Sequence, residues 1–239
     1  MTQLVDYAVD GKVAVITMDD QGHNLISPTM VKQLNAALDQ AEAADLAVLL
    51  TGAREVFSAG FDLNILRSGV SDTFAMLIGG FTLSKRLLAF PRPVIIACNG
   101  HAIAMGAFLV LSADYRVGVA GDFKLVANEV QNGLILPHSA LAVCRYRLKP
   151  SYYDRVVNLS EVFAPEEAVQ AGFLDELVAA DQLQSVAMAK ARQLAELNAS
   201  AFKGTKLRMR KQVLREVKRA IWADRLDFVR MGISRALKR

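Results

Sequence analysis

Two short, unbroken apolar runs constrain this chain more than any other feature: LAVLLT at Leu46–Thr51 and PVIIACNG at Pro93–Gly100. Each is too short for a helix of ordinary length and ends in small or turn-forming residues. Runs of this kind read as strands buried on both faces. LVDYAVDG and KVAVITMDD read as two further strands joined by a turn at Asp10–Gly11. Helical patterns lie between the strands. Ser27–Pro28 opens one, with Ser as N-cap, Pro at the first helical position, and Met30, Val31, Leu34 and Leu38 at helical spacing. A second fits Asp72–Ala89. Ala102–Ser112 reads as a helix and Asp114–Val119 as a strand. This β-β-α rhythm specifies an α/β domain with mostly buried strands, and no internal repeat is visible in the sequence. From Pro165 onward the pattern is helical almost throughout: PEEAVQAG, Asp181–Leu197, Phe202–Arg210 and Val213–Leu237. Ile221, Leu226, Val229 and Ile233 form part of an apolar stripe in the last helix, and such a stripe needs a partner surface.

A length of 239 residues suits one large domain or one domain with an appendage. With 53% hydrophobic and 22% charged residues, the chain can build a sizeable core, which excludes a disordered protein. Apolar runs such as Val94–Cys98 and Ala102–Ser112 are too short or interrupted to span a bilayer. The opening MTQLVDYAVDG has no basic stretch followed by an apolar one, so the expectation is a cytoplasmic protein without a signal peptide. Cys98 and Cys144 have no CxxC spacing and sit among apolar residues. They read as buried thiols, neither a disulfide framework nor a metal site.

The net charge of +4 hides an asymmetry. Residues 195–239 carry 13 Lys and Arg against 4 Asp and Glu, whereas residues 1–194 carry 15 against 20. The basic segment suits nucleic acid, an acidic membrane, a phosphate-bearing small molecule, or simply solvated helix faces. No aromatic-rich groove or zinc-finger spacing favours nucleic acid.

Three segments carry candidate chemistry. FSAGFDLN (Phe57–Asn64) follows a strand and turns through small residues, as an ordinary strand-to-helix loop also would. NGHAIAMGAFLVLSAD (Asn99–Asp114) offers a helix start, where the first N–H groups lack intrahelical partners and the dipole is mildly positive. Ala104, Gly106 and Ala107 would let a ligand oxygen approach the backbone, and tight helix packing would favour the same residues. Two N–H groups, one from each segment, suffice for an oxyanion hole. In FKLVANEVQNGLILP (Phe123–Pro137), Glu129 sits among apolar residues, where a carboxylate rises in pKa and suits a general base; a surface acid or a helix cap is the alternative. His23, His101 and His138 compete weakly for that role. His101 is expected to hydrogen-bond locally. No Ser or Cys stands in a recognisable nucleophile motif, and no metal-ligand cluster is visible.

In this order and spacing the segments resemble the crotonase superfamily, the enoyl-CoA hydratase/isomerase family. FSAGFDL is similar to its first oxyanion loop, F-S-A-G-x-D-L. PVIIACNGHAIAMGAFLVLSADYRV is similar to its second, P-x-I-A-x-x-N-G-x-A-x-G-G-G-x-x-L-x-x-x-x-D. NEVQNGLILP resembles the segment with a catalytic Glu, and PEEAVQAGFLDELV the A-x-x-A-x-x-x-G-L-V-x-x-V stretch. The likeness spans nearly the whole chain. It implies an α/β fold with a crotonase-type ββα spiral core over 1–194 that binds acyl-CoA. It also implies a basic C-terminal helical region over 195–239, used in contacts of a homotrimer or hexamer.

By the same resemblance, the backbone N–H groups of Phe61 and Met105 hold a thioester oxygen. CoA and substrate contacts fall at Ala59, Phe61, Asp62, Leu63 and Phe108, and Glu129 is the catalytic carboxylate once a two-residue insertion is allowed after Phe123. No metal or separate cofactor is implied, since coenzyme A is part of the substrate. Hydratases of the family place a first glutamate three residues beyond the second oxyanion donor; here Phe108 stands there, and the glycine triplet is reduced to Ala104, Met105 and Gly106. A lone Glu suffices to move a double bond, so the favoured expectation is 3-enoyl-CoA to 2-enoyl-CoA isomerisation. Hydration of 2-enoyl-CoA comes second, and a catalytically impaired acyl-CoA-binding member third. Lys203, Lys206 and Arg210 are candidates to meet the CoA phosphates. Phe61, Phe108 and helix 72–89 are expected to shape the acyl pocket.

Overall fold

The computed structural model describes residues 2–68 and 70–236, with the side chains of 2–66 and 72–228. The chain opens with the expected hairpin, β1 (Val5–Asp10) and β2 (Val13–Met18), turning at Gly11 with a φ of 57°. Helix α1 (Pro28–Ala43) begins as read: the Ser27 side chain accepts from the Met30 N–H and Pro28 fills the first helical position.

The chain then repeats one manoeuvre. Strand β3 (Ala47–Gly52) is followed by β4 (Val56–Ser58), β5 (Val94–Cys98) by β6 (His101–Ile103), and β7 (Tyr115–Val119) by β8 (Leu125–Val126). The first member of each pair joins a six-stranded sheet of order β1-β2-β3-β5-β7-β9, where β9 is Glu176–Val178. All neighbours in that sheet are parallel except β1 and β2. The second member joins a small parallel sheet of order β4-β6-β8. Helices follow each pair: α2 (Leu63–Ser68) and α3 (Val70–Ala89) after β4, α4 (Met105–Ser112) after β6, α5 (His138–Arg147) after β8. This is the β-β-α rhythm wound into a spiral.

Strand alternation sorts the core into two layers. Ala47, Leu49, Ile95 and Ala97 face α8 (Leu183–Ala195), which answers with Leu183, Ala187, Ala191 and Ala195 at four-residue spacing. Val48, Leu50 and Ile96 face the other way, into the layer holding α1, α3 and α4. Helix α6 (Pro150–Val157) packs on α5 and α7 (Pro165–Ala171) on β9, and α9 (Ala199–Met209) and α10 (Lys211–Ala236) close the chain. Val213, Val217 and Ile221 bury the stripe of α10 against the main core. Leu226 is instead 41% exposed, and the side chains of Val229 and Ile233 lie outside the described residues.

Several boundaries differ from the sequence reading. Ala102 and Ile103 are strand, not helix, because β6 pairs with β4 and β8 before the chain turns at Ala104. Helices α5 and α6 were not read from sequence, although Pro150 opens α6 as Pro28 opens α1. Among the described residues no helix is long and apolar enough to cross a membrane. Cys98 and Cys144 are free and buried.

Candidate active site

The small sheet assembles the three candidate segments. Its strands run parallel, so their carboxyl ends lie side by side, the place where α/β folds ordinarily put ligand-binding loops. Phe61 follows the end of β4, Met105 the end of β6, and Glu129 the end of β8. Neighbouring strands stand about 4.8 Å apart, so residues distant in sequence emerge together.

The first two segments touch. Gly60, with a φ of 92°, lies so close that a Cβ on it would stand 2.9 Å from the Ile103 carbonyl oxygen and 3.4 Å from the Met105 nitrogen. Ala104 takes a φ of 49°, a costly conformation for a residue with a side chain, and its N–H is held by the Val126 carbonyl at 2.8 Å. Met105 then begins α4. Among the described residues, neither the Phe61 nor the Met105 N–H meets an acceptor, as expected for the first turn of a helix and for a loop that leaves its strand. Both side chains pack over Gly80 of α3. The Phe61 ring meets Phe81 edge-on at 6.1 Å, and Phe81 meets Phe108 at 5.9 Å.

Glu129 is 9% exposed, and its Oε2 has no hydrogen-bond partner among the described residues. Burial pushes its carboxyl up to about 7, a rise only partly offset by its own backbone N–H. Its carbonyl accepts from the N–H groups of Asn132 and Leu134, a turn that fixes the backbone under the carboxylate. Beside it on α5 the Cys144 thiol is raised, first by burial and then by the Glu129 charge. The unpaired carboxylate can therefore exist in either protonation state near neutral pH, which both removal and return of a proton require.

The remaining candidates sort by environment. Phe108 is fully buried within α4 and carries no proton. Asp62 accepts from the Asn64 N–H at 2.8 Å and caps α2. Leu63 is 57% exposed and Ala59 half-buried. His101 accepts from the Lys124 N–H through Nδ1 and stacks edge-on with Phe123, the local role expected of it. His23 is exposed, and its carbonyl accepts from the Ala59 N–H; His138 lies at the start of α5 with Nε2 3.3 Å from Asp227. Among the described residues no group of three His, Cys, Asp or Glu stands ready to hold a metal.

One expectation is corrected. Lys206 and Arg210 do not offer themselves to phosphates: both are buried and paired with Asp114, at 2.6 and 2.8 Å. Burial pulls the Lys206 ammonium down to about 8. Lys203 is exposed. Exposed cations of the tail lie at the α9–α10 corner, where Arg208, Lys211, Arg215 and Arg219 line a cleft of about 580 Å³.

Sequence reasoning missed two residues that brace the first loop, Asn24 and Ser58. Asn24 donates to the Val56 carbonyl at 2.9 Å, and the Ser58 hydroxyl donates to the Asn24 carbonyl at 2.7 Å. The stretch DDQGHN (Asp19–Asn24) held the available signal: an Asp–Gly turn in which Asp20 accepts from the Gly22, Asn24 and Leu25 N–H groups.

Comparison with known proteins covers nearly the whole chain. Residues 9–236 match the family model described as enoyl-CoA hydratase/isomerase. A probable enoyl-CoA hydratase of Mycobacterium avium is 32% identical over 193 residues, covering 78% of this chain and 74% of that protein. Among solved structures, an enoyl-CoA hydratase/isomerase family protein from Pseudomonas syringae is 44% identical with a TM-score of 0.92, covering 93% of this chain and 97% of that one. A Mycobacterium tuberculosis enoyl-CoA isomerase is 43% identical with a TM-score of 0.90, covering 94% and 98%.

Proposed function

The chain belongs to the enoyl-CoA hydratase/isomerase family of enzymes, and from that premise we propose that it shifts the double bond of a 3-enoyl-CoA to the 2 position with Glu129 as its only acid–base group. The observation that carries this reading is Glu129 itself, a buried carboxyl near pKa 7 whose Oε2 has no hydrogen-bond partner among the described residues, together with Phe108 where the family's hydratases place a second acid.

The ionised Glu129 takes a proton from the α carbon of the thioester. The electron pair moves onto the carbonyl oxygen, and the N–H groups of Phe61 and Met105 stabilise the resulting dienolate; a donor of this kind is worth about 10²–10³ in rate. The carboxylic acid then returns the same proton to C4, which leaves the double bond between C2 and C3. No water enters the balance. Ala59, Asp62 and Leu63 line the approach of the CoA arm. Phe61 and Phe108 bound the acyl side, and exposed cations of residues 195–239 meet its phosphates. The working assembly is a homotrimer or hexamer of this chain.

Hydration of 2-enoyl-CoA is the second reading, favoured by the name of the Mycobacterium avium relative. Activating water and delivering a proton is work the family divides between two carboxylates. Purified protein offered 3-enoyl-CoA and 2-enoyl-CoA separately decides between them. Isomerisation is expected with the first and slow or absent hydration with the second; rapid hydration overturns the proposal. If Glu129→Gln leaves every turnover unchanged, the protein binds acyl-CoA without using this carboxylate.

A further inference from the structure

We infer that Ser58 is a positioning residue that holds the two oxyanion donors in register, an inference resting on the acyl-CoA reading of this site. Ser58 ends β4 and is fully buried. Its hydroxyl donates to the Asn24 carbonyl at 2.7 Å and accepts from the Gly60 N–H at 3.2 Å. Gly60 is the residue before Phe61. On its other side, Ser58 occupies the space a Gly106 side chain would need: a Cβ there would overlap the Ser58 carbonyl oxygen and stand 2.9 Å from its Cβ. Gly106 is the residue after Met105. One serine therefore touches the chain immediately ahead of the first donor and immediately behind the second.

The hydroxyl has no catalytic freedom of its own. Its proton is committed to Asn24, so it neither attacks substrate nor donates to it. The tie also extends outward. The Ala59 N–H donates to the His23 carbonyl at 2.9 Å and the Ile26 N–H to the Gly60 carbonyl at 2.8 Å. Segment 23–26 thus grips the first loop, and Ser58 locks the grip from inside. An apolar side chain would fill the same volume, but it would leave a buried N–H and a buried carbonyl unpaired. A buried hydroxyl at this point secures the direction of the Phe61 N–H relative to Met105, and displacements of about 1 Å in such a group cost about 10²-fold.

The test uses the full-length protein and an aryl-acryloyl-CoA, whose absorption moves to the red when its thioester carbonyl is polarised. For Ser58→Ala we expect kcat for the double-bond shift to fall about ten- to a hundredfold, with KM within about twofold. The red shift of the bound probe should shrink, and the affinity for CoA itself, which has no carbonyl, should stay unchanged. Gly106→Ala presses on Ser58 from the opposite side and is expected to diminish the same shift. Ser58→Cys keeps the volume with a weaker donor and should fall between wild type and Ser58→Ala; it supplies the comparison if the alanine variant does not fold. A wild-type red shift and kcat in Ser58→Ala overturns the inference. So does a loss of CoA affinity with the shift per bound probe intact, which is what a purely structural role gives. Wild-type protein that binds the probe with no shift at all overturns the acyl-CoA reading, and the inference with it.

Discussion

At Glu129 the burial that suits the carboxyl for proton transfer also works against stability. In the unfolded chain the group titrates near its ordinary 4.5, and in the folded protein near 7. Below pH 4.5 both states hold the proton and no penalty arises. Between pH 4.5 and 7 the folded state binds the proton more tightly, so its stability falls as pH rises; above pH 7 the full penalty is present. At about 1.36 kcal/mol per unit, the upper bound is about 3 kcal/mol. Glu129→Gln removes the ionisation. Urea unfolding should therefore show the variant gaining up to about 3 kcal/mol over wild type at pH 8 and under about 1 kcal/mol at pH 5. An equal gain at both pH values would assign the effect to packing rather than charge. The same variant should lose double-bond shifting by about 10²–10⁴-fold, so activity and stability move in opposite directions at one residue.

At the scale of elements, the ends of α3 and α4 depend on cations, two from the tail and one from α5. Lys206 donates to the Leu87 carbonyl and Arg210 to that of Leu88, at the end of α3. Arg147 donates to the carbonyls of Leu111 and Ala113 at the end of α4. Asp114 balances this cluster: it pairs with Lys206 and Arg210 and also accepts from the Val94 N–H at the start of β5. Asp114→Asn would leave two buried cations without their counter-charge. A loss of about 3 kcal/mol is expected in denaturant unfolding, and a change under about 0.5 kcal/mol, ordinary for a surface site, would show that the helix carbonyls alone satisfy both cations.

These elements also show what the sequence made legible. β3 and β5 are unbroken apolar runs buried on both faces, so pattern alone revealed them. Strands β4, β6 and β8 span three, three and two residues, too few for any periodicity to register. Their parallel sheet is what gathers Phe61, Met105 and Glu129, so Phe61 and Met105 were reachable only through the order of motifs, whereas Glu129 also stood out as a carboxylate among apolar residues. After His101, AIAMGAF is apolar throughout, and nothing in its composition announces the positive φ at Ala104 that ends β6 and starts α4. The Asn24–Ser58 tie joins residues 34 apart and belongs to tertiary geometry alone.

For the whole molecule, the proposed assembly has to account for what one chain leaves uncovered. The buried stripe of α10 is satisfied within the protomer by Val213, Val217 and Ile221. Trp222, however, is 63% exposed and Leu226, one turn further on, 41% exposed. Residues at this spacing share a helix face. An indole left largely in water is the kind of group that gains most from a second surface, since Trp is enriched at interface centres. The reading of a homotrimer or hexamer thus has a specific test. Sedimentation equilibrium at micromolar concentration should give three or six times the 26.0 kDa chain mass. Trp222→Asp sets a charge on the exposed face without touching the core stripe, so it should lower that mass while leaving the unfolding midpoint of the dissociated chain near wild type. A wild-type mass of one chain at all accessible concentrations would rule the assembly out. An unchanged multiple in Trp222→Asp would move the contact to a face other than this one.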